Sequence, residues 1–168
     1  MDAKTQNYSS RNKLNKTFLL LIIIYFKSFT IIFFLNLFYN TYEQFEIKLT
    51  IEGIGNQNIL NNNFYLDPSE VLIEGEPKPS CKKICNFQNN INQVTIKFDR
   101  LIESCENMFD GLTNIKEIDL SNLDTSKVIN MSSMFNECTN LEKITFGNIN
   151  TSFVENMFKL FHYCINLI

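Results

Sequence analysis

Hydrophobic and polar residues alternate strictly from Phe45 to Ile51. Phe45, Ile47, Leu49 and Ile51 fall on one side, and Glu46, Lys48 and Thr50 on the other. Successive side chains of a strand point to opposite faces, so this pattern predicts a strand with one buried face. Gly53, Gly55 and Asn56 to Asn58 break it. Val71 to Ile73 and Val94 to Phe98 predict two further strands. Between them Pro77 and Pro79 exclude a helix. Residues 40–100 therefore read as a small β-rich cap region, with its first strand at Phe45.

A different period governs the rest of the chain. Displaced by 26 residues, the sequence matches itself without insertions. Val128 meets Val154, Met131 meets Met157, Phe135 meets Phe161, and Cys138 meets Cys164. In the other direction Met134 meets Met108, Phe135 meets Phe109, Ile144 meets Ile118, and Phe146 meets Leu120. A fixed period of this length marks a stacked array in which neighbouring units share one core. Within a unit, Met131, Met134, Phe135 and Cys138 stand at i, i+3, i+4 and i+7, the stripe of a short helix. Asn130 or the Asp124-Thr125-Ser126 turn would cap it. Leu141, Ile144 and Phe146 follow as the strand part, and Gly147-Asn148 turns the chain. The predicted core is Met108, Phe109, Ile118, Val128, Met131, Met134, Phe135, Cys138, Leu141, Ile144, Phe146, Val154, Met157, Phe161 and Cys164. Asn114, Asn140 and Asn166 recur at one place in each unit, where side-chain amides would satisfy turn backbone groups.

Near the N-terminus, Phe18 to Tyr39 form an apolar run interrupted chiefly by Lys27 and Asn36. About 20 apolar residues span a bilayer core. Lys4, Arg11, Lys13 and Lys16 precede the run, and Glu43, Glu46 and Glu52 follow it. Positive flanks stay cytoplasmic, so residues 1–17 read as a basic cytoplasmic tail with everything after residue 40 outside the cytosol. Residues 18–39 then act as an uncleaved signal anchor, or as a cleaved signal peptide with Phe18 to Phe26 as its apolar core. The first gives a single-pass membrane protein, the second a secreted one. A buried soluble helix fits less well, because the run lacks a polar face.

Composition narrows the function. The net charge of −3 and pI near 5.2 provide no basic field for nucleic acid. An apolar fraction of 45% is too high for a disordered chain. Five cysteines cannot all pair within one chain. Cys81 and Cys85 form the only close pair. They read as a local disulfide or as free thiols, and a zinc site would need two more ligands. Cys138 and Cys164 fall on the apolar stripe, which makes them small core residues. The lone His162 has no second histidine to work with. No Ser/His/Asp set, Gly-rich phosphate loop or cleft carboxylate pair is present, so neither an enzyme nor a cofactor is expected. Asn130-Met131-Ser132 and Asn150-Thr151-Ser152 are N-glycosylation acceptor sequences.

"MFNECTNLEKITF", "MFDGLTNIKEIDL" and "NLDTSKVINMSSMF" resemble the BspA-like leucine-rich repeats of surface proteins, over about residues 101–168. The resemblance implies an α+β chain: a transmembrane helix, a small β-rich cap, then a right-handed leucine-rich-repeat solenoid of 26-residue units. It also implies adhesion or other protein contact at a cell surface, and no enzyme activity. The ribonuclease-inhibitor type of repeat would carry Asn where this chain has Ile149, so that geometry does not transfer. Exposed strand or turn positions such as Glu117, Asp119 and Thr145 are the candidate binding residues for an unknown protein or cell-surface ligand. The last unit stops at Ile168, before its strand. The expectation is therefore either a truncated fragment of a longer repeat protein with only a structural role, or an apolar end covered by another chain through self-association.

Overall fold

A computed structural model describes residues 45–168; the anchor or signal segment at 18–39 and the tail before it lie outside the described residues. The strands are β1 (Phe45–Glu52), β2 (Gly55–Asn58), β3 (Glu70–Ile73), β4 (Glu76–Pro77), β5 (Ile84–Phe87), β6 (Ile91–Phe98), β7 (Ile115–Asn122) and β8 (Lys143–Thr145). Six of them form a sheet in the order β4-β3-β6-β1-β7-β8, and β2 pairs with β5 in a second, two-stranded sheet. All pairs are antiparallel except β7 with β8, which run parallel. The sheet is mixed, and no helix occurs among the described residues.

The alternating strand around Phe45 lies at the heart of this sheet, hydrogen-bonded to β6 on one side and β7 on the other. Ile47, Leu49 and Ile51 are fully buried, as are Val94, Ile96 and Phe98 on β6 and Ile118 and Leu120 on β7. All belong to one core with Ile59, Leu60, Phe64 and the inward residues of the repeats. One face of the sheet is thus apolar and covered, the other polar, as antiparallel sheets commonly are. Gly53 turns the chain as expected, but the Gly55–Asn58 segment taken for a break is itself a strand. It pairs with Ile84–Phe87, whose two buried residues, Cys85 and Phe87, gave no pattern long enough to read.

The expected helix at residues 131–138 is replaced by a chain of tight turns, and the backbone shows why. The N–H groups of Met131, Ser133, Phe135 and Glu137 donate to the carbonyls of Asn156, Phe158, Leu160 and His162 in the next unit. The same alternate positions one unit earlier, Cys105, Asn107, Phe109 and Gly111, donate to Asn130, Ser132, Met134 and Asn136. The intervening N–H groups of Met134, Asn136 and Cys138 bond three residues back, to Met131, Ser133 and Phe135. Half the donors a helical i→i−4 ladder requires are thus committed between units. The chain stays in register by entering the left-handed region twice per unit: Asn107, Ser133 and Lys159 at one place, Gly111, Glu137 and Tyr163 at the other, with φ between 54° and 71°. This geometry still turns Met131, Met134, Phe135 and Cys138 to one side, so the helical spacing was right for the side chains and wrong for the backbone.

Units therefore stack at the spacing read from the sequence. Phe109, Phe135 and Phe161 form a column with ring centroids 5.8 and 5.3 Å apart and planes within 11°. Isolated parallel bridges join Ser104 to Asn130 and Asn130 to Asn156. Glu142 N–H bonds the Lys116 carbonyl, and Ile168 N–H bonds that of Glu142. Gly147 lies so close to the unit before it that a Cβ there would come 2.5 Å from Ser121 Cα.

Burial follows position in the stack. Met108, Phe109, Ile118, Val128, Met131, Met134, Phe135, Cys138 and Leu141 are all buried. The predicted core positions of the last unit are not. Met157 and Phe161 are 44% and 40% exposed, while Val154 and Cys164 are half-buried. Ile144 is half-buried as well. β8 ends at Thr145, so Phe146 lies beyond the strand and 43% exposed, its ring edge-on to Phe161. The core positions expected at Ile144, Phe146, Val154, Met157, Phe161 and Cys164 are thus only partly buried or exposed.

Candidate interaction face and the polar ladders of the repeat

The outward positions of β1, β6, β7 and β8 gather into one shallow, polar cleft of about 230 Å³. Lys48 pairs across the sheet with Asp119, Thr50 with Glu117, Glu117 with Lys143, and Asp119 with Thr145. Gln93 closes the side, hydrogen-bonded to the Thr50 hydroxyl. The three candidates from the sequence, Glu117, Asp119 and Thr145, are thus brought together. Lys48, Thr50, Gln93 and Lys143 join them and were missed. Their outward parity was legible, but the pairing that carries β1 beside β7 was not.

Charge on this face is mixed and fixed. Asp119 Oδ1 accepts the Ser121 backbone N–H at 2.9 Å. Hydrogen bonds from Ser121, aided by Lys48 and Lys143, hold its carboxyl below the usual carboxylate range. At the rim, Lys116 bridges Glu142 at 2.9 Å and Glu52 at 3.3 Å, tying the second unit to β1. These two carboxylates raise its ammonium above the ordinary lysine value.

Polar side chains run along the stack as well. Asp110, Asn136 and His162 occupy one position in three successive units. Asn136 Nδ2 donates to Asp110 Oδ1 at 2.7 Å, and Asn136 Oδ1 meets His162 Nδ1 at 2.9 Å. Asp110 accepts only, which fixes the Asn136 amide and makes His162 Nδ1 the donor. The expected cap residue Asn130 serves a turn instead, its Oδ1 accepting the Ser132 N–H, and Asn156 does the same for Phe158. Of the Asn114, Asn140 and Asn166 series, Asn114 donates to the Asn58 carbonyl and Asn166 to that of Thr139.

The cysteines take structural places. Cys81 and Cys85 are joined in a disulfide, their Cα atoms 4.9 Å apart. The Cys138 and Cys164 thiols donate to the carbonyls of Phe109 and Phe135, 29 residues earlier in each case. Burial pushes Cys105 and Cys138 up to about 12, and raises Cys164 too. A thiol held protonated is a poor nucleophile or metal ligand. Among the described residues no group of three His, Cys, Asp or Glu side chains is placed to hold a metal. Of the glycosylation acceptors, Asn130 is built into the bridge between units and followed by a buried Ser132, whereas Asn150 is exposed. Among the described residues no helix is long and apolar enough to cross a membrane.

A mixed sheet continued by units stacked at a 26-residue spacing defines a β-rich repeat protein, with polar ladders running along its stack and a charged strand face outside. The model of one family, described as "Mycoplasma protein of unknown function, DUF285", matches residues 80–167, and the chain belongs to that family. No curated protein and no solved structure matches it.

Proposed function

We propose that this chain is a membrane-anchored surface protein whose repeats form a right-handed solenoid of the BspA-like leucine-rich kind and bind another protein through their strand face. The observation that carries the reading is the cleft around Lys48, Glu117, Asp119, Lys143 and Thr145. It presents both signs of charge on a rigid sheet and spans β1, β7 and β8. Binding surfaces supported by strands hold their side chains more precisely than loops do. Mixed charge on such a face favours partner choice and encounter rate over raw affinity. The parallel β7–β8 pair and the inter-unit hydrogen bonds support the solenoid geometry. The anchor rests on Phe18 to Tyr39 and the basic residues before it.

Protease shaving of intact cells tests the placement. The reading expects fragments of residues 45–168 to be released from the outside. Protection of that region until the membrane is opened would end it. A Glu117→Lys/Asp119→Lys double variant tests the face. It should abolish adhesion or partner capture while lowering the urea midpoint only by the Asp119–Ser121 hydrogen bonding it removes, because both side chains point away from the core.

A further inference from the structure

Cys81 and Cys85 close a ring only 4 residues apart in sequence. A cross-link constrains the unfolded chain more the longer the loop it closes, so one this short adds little to global stability. Its effect is local. The ring fixes Lys82 and Lys83, and both hold the segment 59–68. The Lys83 carbonyl accepts the Ile59 N–H at 2.8 Å. Its ammonium donates to the carbonyls of Asn62 and Phe64 and pairs with Asp67 at 3.4 Å. Lys82 donates to the Pro68 carbonyl at 3.1 Å. The clasped segment in turn seats the repeats, because Asn61 donates its backbone N–H to the Met108 carbonyl and its side-chain amide to that of Asp110. The two sulfurs differ in surroundings. Cys85 lies on β5 and faces the core with Phe87. Cys81 precedes β5 and lines a cleft of about 260 Å³, with Glu70, Pro77, Lys78, Pro79 and Lys82 among its other residues. Glu70 is taken by Lys97 at 2.8 Å. Lys78 and Lys82 meet no carboxylate among the described residues. The cleft beside Cys81 is therefore basic in a chain whose net charge is −3.

We propose that the Cys81–Cys85 disulfide is an exchange site for acidic thiols, which dock between Lys78 and Lys82, open the bond at Cys81 and so release the segment 59–68. Exchange requires access to one sulfur and a thiolate to attack it. The cleft gives access to Cys81, and its two ammonium groups draw in an anionic thiol and favour its thiolate form. The incoming thiolate bonds to Cys81 Sγ, the Cys81–Cys85 bond breaks, and Cys85 leaves as a thiolate that takes a proton from water. The product is a mixed disulfide on Cys81. A second thiolate attacks the sulfur of the bound thiol and departs with it as their common disulfide, leaving Cys81 as a thiolate that is protonated in turn. Two thiols are oxidised and the protein disulfide is reduced by two electrons. Cys85 remains in the core while Cys81 is freed from it, so Lys82 and Lys83 lose the ring that aims them at the segment. The site lies by the β3–β4 edge of the sheet, at the opposite end of the strand order from β7 and β8, and does not rest on the binding role proposed above.

The full chain, kept in neutral detergent, is treated with reduced glutathione, an anionic thiol, or with cysteamine, a cationic one, at matched thiolate concentration. Samples are quenched with iodoacetamide, and peptide mass spectrometry follows Cys81 and Cys85 apart from Cys105, Cys138 and Cys164. Each rate is divided by the same thiol's rate on the disulfide of mercaptoethanol, which removes differences in intrinsic nucleophilicity. The expected result is a normalised rate at least tenfold higher for glutathione, with the mixed disulfide on Cys81. Lys78→Glu/Lys82→Glu should reverse the order. In about 1 M salt, where the screening length falls to about 3 Å, the native chain should show a ratio near one with no change of sequence. After opening, amide exchange at Ile59, Leu60 and Asn61 should quicken at least tenfold while that of Ile47, Leu49 and Ile96 stays as it was. Equal normalised rates for the two thiols, a preference that survives the salt, or a mixed disulfide on Cys85 overturns the docking of acidic thiols at Cys81. Unchanged exchange at residues 59–61, or quickening that spreads through β1 and β6, overturns the clasp.

Discussion

Replacing Glu137 by glycine separates a stack of turns from a stack of helices by the sign of one number. Glu137 has φ of 58° and is exposed, and it makes no ion pair among the described residues. An L-residue in the left-handed region carries strain of roughly 1–2 kcal/mol, which glycine lacks. Glycine in turn loses about 0.5–1 kcal/mol more backbone entropy on folding. The balance is a gain of about 0.5–1 kcal/mol for Glu137→Gly. In a helix the same change would cost about 1 kcal/mol. The converse test lies one unit earlier. Gly111 holds the equivalent place with φ of 71°, and a Cβ there meets nothing within 4 Å. Gly111→Ala therefore adds backbone strain without a clash and should cost about 1 kcal/mol, whereas in a helix it would be stabilising by a similar amount. Urea unfolding followed by circular dichroism reads both midpoints, with the slope expected unchanged. A loss for Glu137→Gly together with a gain for Gly111→Ala would refute the turn geometry.

Other consequences follow from packing and charge. Phe135 is 1% exposed between Phe109 and Phe161, so Phe135→Ala should cost roughly 3–5 kcal/mol in the same assay; a cost below 1 kcal/mol would show that the column is not a core. Gly147→Ala should cost about 3 kcal/mol, well beyond Gly111→Ala, because its Cβ would meet Ser121 Cα at 2.5 Å on top of the left-handed strain; equal costs at the two glycines would contradict the close approach of the units. Asp119 should titrate below the ordinary value near 3.9 in a carboxyl NMR titration, and Ser121→Ala should move it back up. Its folded pKa is the lower one, so its contribution to stability is present above about pH 4 and lost as the pH falls through the folded value; a midpoint at or above 3.9 would remove Ser121 from the account.

What could be read from the sequence was the side-chain geometry; what escaped it was the backbone. The period-2 run at Phe45 named its strand and its buried face, and the 26-residue period named the stack and the Phe109, Phe135, Phe161 column. The helix failed because i, i+3, i+4, i+7 reports only which side chains point inward. Turns that alternate right- and left-handed residues meet the same condition, and non-glycine residues such as Ser133, Glu137 and Lys159 give no warning of a positive φ. Gly111 was the one visible signal, standing where a helix would hold Glu137 or Tyr163. The strand at Ile84–Phe87 was too short to show a period, and its neighbour Gly55–Asn58 looks like a loop by composition. Of the candidate face, Glu117, Asp119 and Thr145 were legible from their place in the repeat. Lys48 and Gln93 belong to it only because β1 and β6 join the same sheet, a long-range pairing that local pattern does not encode.

The hydrogen bonds between units are the claim on which the stack and the face both depend. Scalar couplings across hydrogen bonds, measured by NMR on the 13C,15N-labelled protein, test it directly. The account predicts couplings from the amide nitrogens of Cys105, Asn107, Phe109 and Gly111 to the carbonyl carbons of Asn130, Ser132, Met134 and Asn136. It predicts the same from Met131, Ser133, Phe135 and Glu137 to Asn156, Phe158, Leu160 and His162. Couplings from these nitrogens to carbonyls four residues back would mean helices, and would contradict it.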